Sequence, residues 1–325
     1  MRSAPDAPAL EVLLARATGG SVVELGERVQ SLWSGYGEIR RATLSGATNA
    51  SVIVKHVVPP KRAALGPAET RSHRRKLRSY EVERAFYRAY APRCGAGCRV
   101  PVALHESSDG NRTLLVLEDL DAAGFGARRD RVSPAELQAC LRWLAEFHAT
   151  FLGEQPESLW KVGTYWHLAT RPDELRALTD PVLRRAAPIL DERLSSARFR
   201  TLVHGDAKLQ NFCFTKAGDD VAAVDFQYVG GGVGVKDVAY FLTSCLSSRE
   251  LERDAGRHLD DYFSELRAAL DSRNAGVELA SVEAEWRELY PFACADFCRF
   301  LRGWAGDDSL DPYLERVTRD VLKRS

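Results

Sequence analysis

The sequence predicts an α+β protein with two lobes: an N-terminal antiparallel sheet lobe with one key helix, and a larger, mostly helical C-terminal lobe. The length of 325 residues suits two domains or one bilobed unit. Strand patterns separated by turn-forming residues fill much of the first part of the chain, and helical periodicity dominates beyond residue 120. We therefore assign residues 1–118 to the N-terminal lobe and residues 119–325 to the C-terminal lobe, with a hinge near Leu120.

Charge and composition argue against several classes of partner. The 45 basic and 45 acidic residues cancel, so no overall charge favours nucleic acid or an anionic membrane surface. No run of roughly 18 apolar residues could span a bilayer. Seven cysteines, an odd number, and the lack of a secretory leader pattern favour the reducing cytoplasm. We expect a cytoplasmic protein that binds neither nucleic acid nor membrane.

The first lobe contains two strands, "GEIRRATL" and "ASVIVKHV", which the turn-forming residues "SGATN" join as a hairpin. A basic stretch over residues 59–78 is predicted to lead into a helix over residues 79–90. Two further strands, "RVPVALHE" and "NRTLLVLEDL", flank the turn "SSDGN". We interpret "RSHRRKLR" within the basic stretch as a solvated face. A site for nucleic acid or an anionic substrate is the alternative.

The second lobe is predicted to be helical apart from three short strand-like segments, "FRTLVHGD", "NFCFT" and "DDVAAVDFQ". Its first helix begins at Ser133, where "SPAE" supplies a cap residue, a proline and a glutamate in the order that starts helices. Apolar residues at spacings of three and four continue this helix to Phe151. Pro291 is expected to bend or break the long apolar segment 282–304.

The segment "HGDAKLQN", residues 204–211, carries groups that phosphoryl transfer from ATP needs. A carboxylate must orient or deprotonate the acceptor hydroxyl, Mg²⁺ needs oxygen ligands, and cations must offset developing charge. We assign Asp206 to the hydroxyl, Asn211 and Asp225 to Mg²⁺, and Lys208 to the γ-phosphate. Alternatively, Asp206 and Asn211 only stabilise a turn, as these residue types often do.

A resemblance to kinase-like phosphotransferases rests on "LLVLEDL" and on five residues, His204, Gly205, Asp206, Asn211 and Asp225. These proteins include aminoglycoside phosphotransferases, choline kinases and ecdysteroid kinase-like proteins, and "DFQ", "EVERAFY" and "LEDL" are most similar to the last, or CHK kinase-like, branch. The resemblance implies a protein-kinase-like bilobed fold, with Asp206 as catalytic base and Asn211 and Asp225 as magnesium ligands. It also implies that His204 holds the loop and that Asp237, in "KDVAYFL", supports the loop from a helix start, where a simple helix cap is the other interpretation.

The same resemblance implies a strand lysine that binds the α- and β-phosphates and a helix glutamate that holds it. Lys55 is our candidate, because it interrupts the apolar strand "SVIVKHVV" and lysine is seldom buried without a partner. An edge-strand lysine that deters aggregation is the alternative. Glu83 is our candidate for the partner, since helical spacing places it on one face with Tyr80 and Phe86. Glu81 falls on a face with arginines and is interpreted as solvated.

The nucleotide needs phosphate contacts and a slot for adenine. In "LSGATNAS", Gly46 would let backbone amides and the hydroxyls of Ser45 and Thr48 approach phosphate oxygens. The segment lacks the G-x-G-x-x-G pattern of protein kinases, so an ordinary turn is the alternative. Adenine is expected on backbone groups of residues 116–120, which include Glu118 and Leu120. The predicted cofactors are ATP and Mg²⁺.

These residues favour an ATP-dependent phosphotransferase, an enzyme that moves the γ-phosphate of ATP to a hydroxyl of a small molecule. A protein kinase is the first alternative. Only about ten residues separate Asp225 from the helix near Val235, however, and this segment is too short to dock a peptide. It is also not followed by an A-P-E motif. A noncatalytic nucleotide-binding protein on the same fold is the second alternative. The acceptor stays open between an aminoglycoside, a choline-like, a steroid-like or another alcohol.

Two segments are candidates for the acceptor site. An aromatic set would suit a quaternary ammonium group, with ordinary core packing as the alternative; it comprises Trp286, Tyr290, Phe292, Asp296, Phe297, Phe300 and Trp304. The acidic segment "ERDAGRHLDDYFSE" could instead offer carboxylates to an aminoglycoside, although a solvated helix explains it equally well.

Overall fold

A five-stranded antiparallel sheet forms the N-terminal lobe of the computed structural model, which describes residues 10–20, 22–60, 66–273, 278–306 and 311–324. Its strands are β1 (Val22–Ser31), β2 (Gly37–Ser45), β3 (Ser51–Val57), β4 (Ala103–Asp109) and β5 (Arg112–Glu118). The order across the sheet is β1-β2-β3-β5-β4, and every neighbouring pair is antiparallel. The predicted antiparallel sheet lobe is confirmed, and β1 adds a strand that the sequence patterns did not reveal.

Most of the helices build the C-terminal lobe, as predicted. In the described residues they are α1 (Leu10–Thr18), α2 (Pro67–Ala89), α3 (Pro134–Thr150), α4 (Pro172–Ala177), α5 (Pro181–Ser195), α6 (Val235–Cys245), α7 (Ser248–Ser272), α8 (Leu279–Ala305) and α9 (Pro312–Leu322). Helix α3 begins at the predicted cap, where Ser133 Oγ accepts from the Glu136 amide at 3.3 Å and Glu136 Oε2 accepts from the Ser133 amide at 2.8 Å. Among these helices, none combines the length and apolarity that crossing a bilayer requires.

Strand β3 lies inside the sheet and carries Lys55. This residue is opposite Ile39 of β2 and Leu115 of β5, so the alternative interpretation as an edge-strand lysine is wrong. Side chains alternate between the two faces of a strand. Val52 and Val54 are buried in a cluster with α1, and Lys55 points to the other face, against α2.

The basic stretch is part of helix α2. The helix begins at Pro67, so the predicted start at residue 79 is too late. Three of its arginines donate to the C-terminal lobe: Arg71 to Asp173 Oδ2 at 3.1 Å, Arg75 to the Thr170 carbonyl at 3.1 Å, and Arg78 to the Leu159 carbonyl at 3.2 Å. The interpretation as a solvated face is therefore wrong for these three residues. Their guanidinium groups connect α2 to the second lobe.

Helix α8 runs through Pro291 without ending, so the expected break does not occur. A proline in a helix interior removes a backbone hydrogen bond and costs about 3 kcal/mol. The helix packs against α4, α5, α6 and α9, and Trp286, Cys294 and Cys298 are fully buried along it. Burial of this apolar length outweighs the local cost of the proline.

Two short antiparallel pairs carry the segment that contains the predicted site. Strand β6 (Thr201–Val203) pairs with β9 (Gly230–Gly232), and β7 (Phe212–Phe214) pairs with β8 (Val221–Ala223). Strand β6 leads into residues 204–211, which we call the HGD loop, and β8 leads to Asp225. Strand β9 was not predicted, because a run of glycines carries no strand signal.

Phe226 joins helix α2 to the HGD loop. Its ring stacks on Phe86 of α2 with centroids 3.9 Å apart and planes 12° apart. The same ring lies 4.6 Å from the His204 ring and 6.1 Å from Phe147 of α3. Each such aromatic pair contributes about 0.5–1.5 kcal/mol beyond its buried area. The residue after Asp225 thus fixes α2 and the loop relative to each other.

Candidate active site

Lys55 and Glu83 form a buried ion pair between the sheet and helix α2. Lys55 Nζ lies 2.7 Å from Glu83 Oε2, and the two residues are 5% and 3% exposed. The Nζ atom is also 3.5 Å from Asp225 Oδ1. Glu81 is exposed and pairs with Arg78 at 3.1 Å instead. The structure therefore brings together Lys55 and the glutamate that helical spacing selected.

The charge state of this pair follows from its surroundings. Burial alone would lower the pKa of Lys55, but the carboxylates of Glu83 and Asp225 outweigh it and raise the pKa above its ordinary value. Burial raises the pKa of Glu83 to about 7, against the opposing effect of Lys55. Lys55 is consequently a protonated, fixed cation in the cleft between the lobes.

The HGD loop holds Asp206, Lys208 and Asn211 together. Asn211 Nδ2 donates to the Asp206 carbonyl at 2.7 Å and to Asp206 Oδ2 at 3.0 Å. Lys208 Nζ lies 3.3 Å from the same carboxylate oxygen. Because Nδ2 is committed as the donor, the carboxamide oxygen of Asn211 remains as its acceptor group. The loop thus presents a carboxylate, an amide oxygen and an ammonium group side by side.

Asp237 supports this loop from the start of helix α6. Its carboxylate accepts from the His204 amide at 2.6 Å and from the Gly205 amide at 2.9 Å. His148 of α3 lies 3.1 Å from the same carboxylate through Nε2 and 2.8 Å from the Tyr262 hydroxyl through Nδ1. No sequence pattern beyond helical periodicity indicated His148 or Tyr262. A buried polar network therefore fixes the loop from behind.

His204 serves as a structural residue. Its Nε2 lies 3.0 Å from the Val224 carbonyl, and its Nδ1 accepts from the Asp206 amide at 3.2 Å. Burial lowers the pKa of His204. A neutral ring with the proton on Nε2 satisfies both contacts. Gly205 follows at φ +79°, where an added Cβ would lie 2.1 Å from the Tyr228 carbonyl, so only glycine fits there.

Asp225 is placed beside the HGD loop by the residue before it. The Val224 amide donates to the Asn211 carbonyl at 2.9 Å, and the Val224 carbonyl contacts His204 as described. Asp225 itself adopts φ +69°, a left-handed conformation that is uncommon outside glycine. Gln227 Nε2 donates to Asp225 Oδ1 at 2.7 Å, and Gln227 Oε1 accepts from Ser79 of α2 at 3.0 Å. Gln227 therefore orients this carboxylate, a role that the "DFQ" motif alone did not reveal.

The two aspartates have opposite protonation tendencies. Burial raises the pKa of Asp206 to about 7, and Asp225 adds to this effect while Lys208 opposes it. Burial would also raise the pKa of Asp225, but Lys55, Gln227 and Lys208 lower it below its ordinary value. Paired carboxyl groups with separated pKa values suit one group that exchanges a proton and one that stays ionised.

The carboxylate of Asp225 and the carboxamide of Asn211 fit a magnesium site. Mg²⁺ prefers oxygen ligands and is usually held by one or two carboxylates together with substrate phosphates. The side chain of Asp225 is 36% exposed, so it can accept a ligand from the cleft. These two residues are the ones that would hold the ion.

The predicted nucleotide contacts lie around the β2-β3 turn and the connection between the lobes. Ser45, Gly46 and Thr48 are exposed in the turn, and Gly46 has φ +73°. The Glu118 carboxylate accepts from Arg99 Nη2 at 2.6 Å, so its side chain is engaged away from Asp206. Leu120 is buried against Cys213 and Ala222. The structure therefore does not bring these side chains into contact with Asp206 or Asp225.

Asp119, in "LEDL", ties the hinge to the sheet, a role that the sequence did not reveal. Arg41 Nε donates to Asp119 Oδ2 at 2.7 Å, and Ser51 Oγ donates to the same oxygen at 2.8 Å. A cavity of about 420 Å³ opens directly after this point and is lined by Asp121, Gly124, Gly126, Ala127, Arg129 and Lys216. Of its lining residues, Asp121 is the next residue in sequence after 116–120, where adenine is expected.

Neither candidate acceptor segment forms a site as a unit. In the aromatic set, Trp286, Tyr290 and Phe297 are buried core residues, and Asp296 is buried with Arg299 Nη2 at 2.8 Å from its Oδ1. Three carboxylates of the acidic segment form ion pairs, Glu252 with Arg316, Asp254 with Arg253 and Asp260 with Arg287. Asp261 lies 3.7 Å from His258, and Glu265 accepts from Gln138. Core packing and helix-surface ion pairs account for most of both segments.

Comparisons with known proteins agree with this geometry. Residues 40–273 match the family described as APH, the phosphotransferase enzyme family. None of the curated protein sequences matches the chain. The fold is similar to that of a microcompartment-associated aminopropanol kinase, with 15% identity, a TM-score of 0.51, and coverage of 93% of this chain and 88% of the other. It is also similar to a candidate fructosamine-3-kinase from Thermobifida fusca YX-ER1, with 16% identity, a TM-score of 0.50 and coverage of 97% of both chains.

At these identities the structural comparisons establish the fold, and the family match establishes the relationship. The matched range contains Lys55, Glu83, the HGD loop, Asp225 and Asp237. It also spans well over half of the chain. This protein belongs to the phosphotransferase enzyme family.

Proposed function

We propose that this protein is an ATP-dependent kinase that transfers the γ-phosphate of ATP to a hydroxyl group of a small molecule. The observation that carries the proposal is the position of Lys55 Nζ, which contacts Glu83 at 2.7 Å and Asp225 at 3.5 Å. A buried cation is thereby held at the edge of the pair formed by Asp225 and Asn211. This is the arrangement that gripping a magnesium-bound triphosphate requires.

In the proposed reaction the acceptor oxygen forms a bond to the γ-phosphorus while the bond from that phosphorus to the β,γ-bridging oxygen breaks. Asp206 orients the acceptor hydroxyl and takes its proton, and ADP leaves. Lys55 binds the α- and β-phosphates, and Lys208 offsets charge on the transferred group. When bound, Mg²⁺ would neutralise phosphate charge, with Asn211 and Asp225 holding it.

The contacts of the HGD loop support this assignment of Asp206. Its carboxylate is held by Asn211 and Lys208, and its raised pKa, about 7, suits a group that gains and loses a proton near neutrality. Asp237 fixes the backbone of the loop, so the carboxylate needs little rearrangement when substrate arrives.

The segment after Asp225 favours a small-molecule acceptor over a protein acceptor. Strand β9 occupies Gly230–Gly232 and pairs with β6, and helix α6 begins at Val235. Little chain is left for a peptide-docking segment.

The "DFQ", "EVERAFY" and "LEDL" motifs lead us to place the protein in the ecdysteroid kinase-like branch of the family. Its seven free cysteines suit a cytoplasmic location.

A nucleotide assay with three variants tests the proposal. Purified protein is incubated with ATP and MgCl₂ against a panel of small alcohols, and ADP release is measured. We expect Asp206→Asn to reduce turnover by about 10²–10⁴-fold while stabilisation against heat by Mg-ADP persists. We expect Asp225→Asn to lose the magnesium dependence of that stabilisation.

Asp109→Asn, an exposed carboxylate at the tip of the β4-β5 hairpin, is the matched control and should behave like the wild type. Turnover that survives in both Asp206→Asn and Asp225→Asn would overturn the proposal. Lack of any stabilisation by nucleotide would favour a noncatalytic protein without a nucleotide site.

A further inference from the structure

Three tyrosines surround the outer side of Asp206. The Tyr165 amide donates to the Gly205 carbonyl at 3.1 Å, so the segment that carries Tyr165 is bonded directly to the HGD loop. The Tyr165 ring lies 5.5 Å from the Tyr240 ring and 6.0 Å from the Tyr228 ring. Burial raises the pKa of Tyr165 to about 12, and the nearby Asp206 carboxylate adds to the increase. Tyr165 and Tyr228 are half-buried and line the side from which an acceptor hydroxyl would reach Asp206, while Tyr240 is buried behind them.

The aromatic cluster continues outward from Tyr165. The Phe300 ring lies 5.3 Å from Tyr165, and Trp304 stacks on Phe300 with centroids 6.1 Å apart. Trp304 is 63% exposed, which is unusual for so large an apolar side chain. Phe300 and Tyr240 are buried, whereas Tyr165 and Tyr228 are half-buried and are the rings near Asp206 that an acceptor can contact. An acceptor with an apolar or aromatic body fits there, since it can pack against ring faces.

Two arginines stand beside the same tyrosines. The Cζ atom of Arg171 lies 5.8 Å from the centre of the Tyr165 ring and 5.3 Å from the centre of the Phe300 ring. Its Nε donates to the Tyr165 carbonyl at 2.5 Å. Arg75 approaches from helix α2. Burial of Arg75 and the nearby Arg171 both lower the pKa of the Arg75 guanidinium. Two guanidinium groups therefore share one small region of the cleft.

The hydrogen bonds of Arg75 leave the Nε donor of its guanidinium group unfilled. Nη1 donates to the Thr170 carbonyl at 3.1 Å, Nη2 makes a long contact of 3.5 Å with Ser72 Oγ, and the Tyr228 hydroxyl is a further hydrogen-bond partner of the group. Nε is buried, and no acceptor among the described residues bonds to it. A buried donor without an acceptor is costly. The Nε and Nη2 edge of a guanidinium group pairs with a carboxylate through two parallel hydrogen bonds. Nε has almost no exposed surface, so a carboxylate would bind there with a shift of the Arg75 side chain.

The carboxylates next to this region are already paired. Glu174 Oε1 accepts from Arg171 Nη1 at 3.0 Å, and Asp173 accepts from Arg71. Glu174 offsets the charge of Arg171, so Arg75 is the guanidinium with spare capacity. An ammonium group placed here would face Arg75, whereas an anion would complete its hydrogen bonds.

We propose that the acceptor is an anionic alcohol, a small molecule with an apolar or aromatic body whose carboxylate accepts from the unpartnered Nε edge of Arg75 while its hydroxyl reaches Asp206. The proposal rests on the kinase function proposed above. Arg171 and the three tyrosines shape the wall between the two contact points. The basic stretch of α2 thereby supplies one substrate-binding residue to the cleft.

Three probes that differ in one group test the charge preference: 4-(hydroxymethyl)benzoate, 4-(hydroxymethyl)benzamide and 4-(hydroxymethyl)benzylamine. Each is titrated into the full-length protein with Mg-ADP, and binding is followed by the change in tryptophan fluorescence and by isothermal calorimetry. We expect the carboxylate to bind more tightly than the amide by roughly tenfold to a hundredfold, the range of a charge-assisted hydrogen bond pair. The ammonium probe should bind most weakly.

Variants of Arg75 connect this preference to one residue. Arg75→Gln should abolish the difference between carboxylate and amide, and Arg75→Lys should keep part of it because the charge remains. Arg74→Gln, a neighbouring exposed arginine on the same helix, is the matched control and should keep the full preference. A far-ultraviolet circular dichroism spectrum and a cooperative thermal transition like those of the wild type show that each variant is folded.

The outcomes separate the two proposals. If Mg-ADP stabilises the protein but the carboxylate probe binds no better than the amide, or the ammonium probe binds best, the anionic acceptor is wrong and the kinase function stands. A preference that is unchanged in Arg75→Gln also overturns the role of Arg75. If nucleotide has no effect while the carboxylate preference depends on Arg75, the kinase function fails and the anion site stands.

Discussion

The two sides of the HGD loop differ in how completely their charges are satisfied. On the side proposed for the nucleotide, Lys55 is buried, held by Glu83 at 2.7 Å and contacts Asp225. On the side proposed for the acceptor, Arg75 is half-buried, bonds to a backbone carbonyl and to Tyr228, and keeps a buried Nε without an acceptor in the described chain. A side that binds one constant ligand can be fully preformed, whereas a side that selects among acceptors leaves hydrogen-bonding capacity for the ligand.

The largest effect on stability is expected from a substitution that breaks the buried ion pair of Lys55 and Glu83. Replacing Lys55 by Met leaves the Glu83 carboxylate buried without its cation, so the free energy of unfolding should fall by about 3–5 kcal/mol at pH 8. Urea unfolding followed by circular dichroism measures this change. Glu81 lies on the same helix, two residues before Glu83, and its side chain is exposed. The free energy of unfolding of Glu81→Gln should therefore stay within about 0.5 kcal/mol of that of the wild type. Equal effects of the two substitutions would contradict the buried pair.

A buried ion pair under the proposed acceptor side, formed by Asp296 with Arg299 and Lys236, should make the stability of the protein depend on pH in the acid range. Asp296 Oδ1 accepts from Arg299, whose Nη2 also donates to the Trp166 carbonyl at 2.9 Å, and Lys236 lies 3.6 Å from Asp296 Oδ2. Burial would raise the pKa of Asp296, but Arg299 and Lys236 outweigh it and lower the pKa. Stability from a lowered carboxyl pKa is fully present above the unfolded-state pKa of about 4 and is lost as the pH falls through the folded-state value.

Asp296→Asn should therefore cost about 3–5 kcal/mol at pH 7, because it leaves two buried cations without a carboxylate. The gap in unfolding free energy between wild type and variant should narrow as the pH falls below about 4. Urea titrations across this range measure the gap. A gap that is constant with pH would show that Asp296 makes no ionised contact in the folded protein.

Replacing Gly205, in the HGD loop between the two sides, should lower the free energy of unfolding by a smaller amount. At Gly205, φ is +79° and a Cβ would lie 2.1 Å from the Tyr228 carbonyl, whereas Gly110 has φ +57° with open space around it. Gly205→Ala should cost about 2–4 kcal/mol through strain and overlap, and Gly110→Ala about 1 kcal/mol through strain alone. Thermal unfolding of both variants checks this order. Reversal of the order would mean that the loop can move away from Tyr228.

The smallest effect concerns the rim of the acceptor side. Arg71 and Asp173 form an ion pair whose side chains are 36% and 33% exposed. Solvent screens such pairs, so the coupling energy from a double-mutant cycle of Arg71→Gln and Asp173→Asn should be about 0.2–1 kcal/mol. It should shrink further in high salt. A coupling energy of about 3–5 kcal/mol, the size expected for the loss of the buried Lys55–Glu83 pair, would remove the contrast between the buried and exposed charges of the cleft.

The sequence was most informative where a local pattern determines the contact. Given the family resemblance, the apolar strand that Lys55 interrupts and the helical spacing of Glu83 were enough to select these two residues, and short loop spacing was enough to bring Asp206 and Asn211 together. The support of the HGD loop was harder to predict, because His148, Tyr262 and Gln227 meet it only through tertiary packing. The arginines of α2 were misinterpreted for the same reason: their carbonyl acceptors lie in distant parts of the chain and leave no trace in the helix itself.

Helix α2 is attached to the C-terminal lobe at both halves, through arginines near its start and through the stacking of Phe86 on Phe226 farther along. An enzyme that switches by swinging such a helix outward would have to break these contacts together. We therefore expect this protein to be constitutively assembled, with its output set by the supply of nucleotide and acceptor. Control by a modifying enzyme or a regulatory subunit would need to act elsewhere, at the entrance near Trp304 for example.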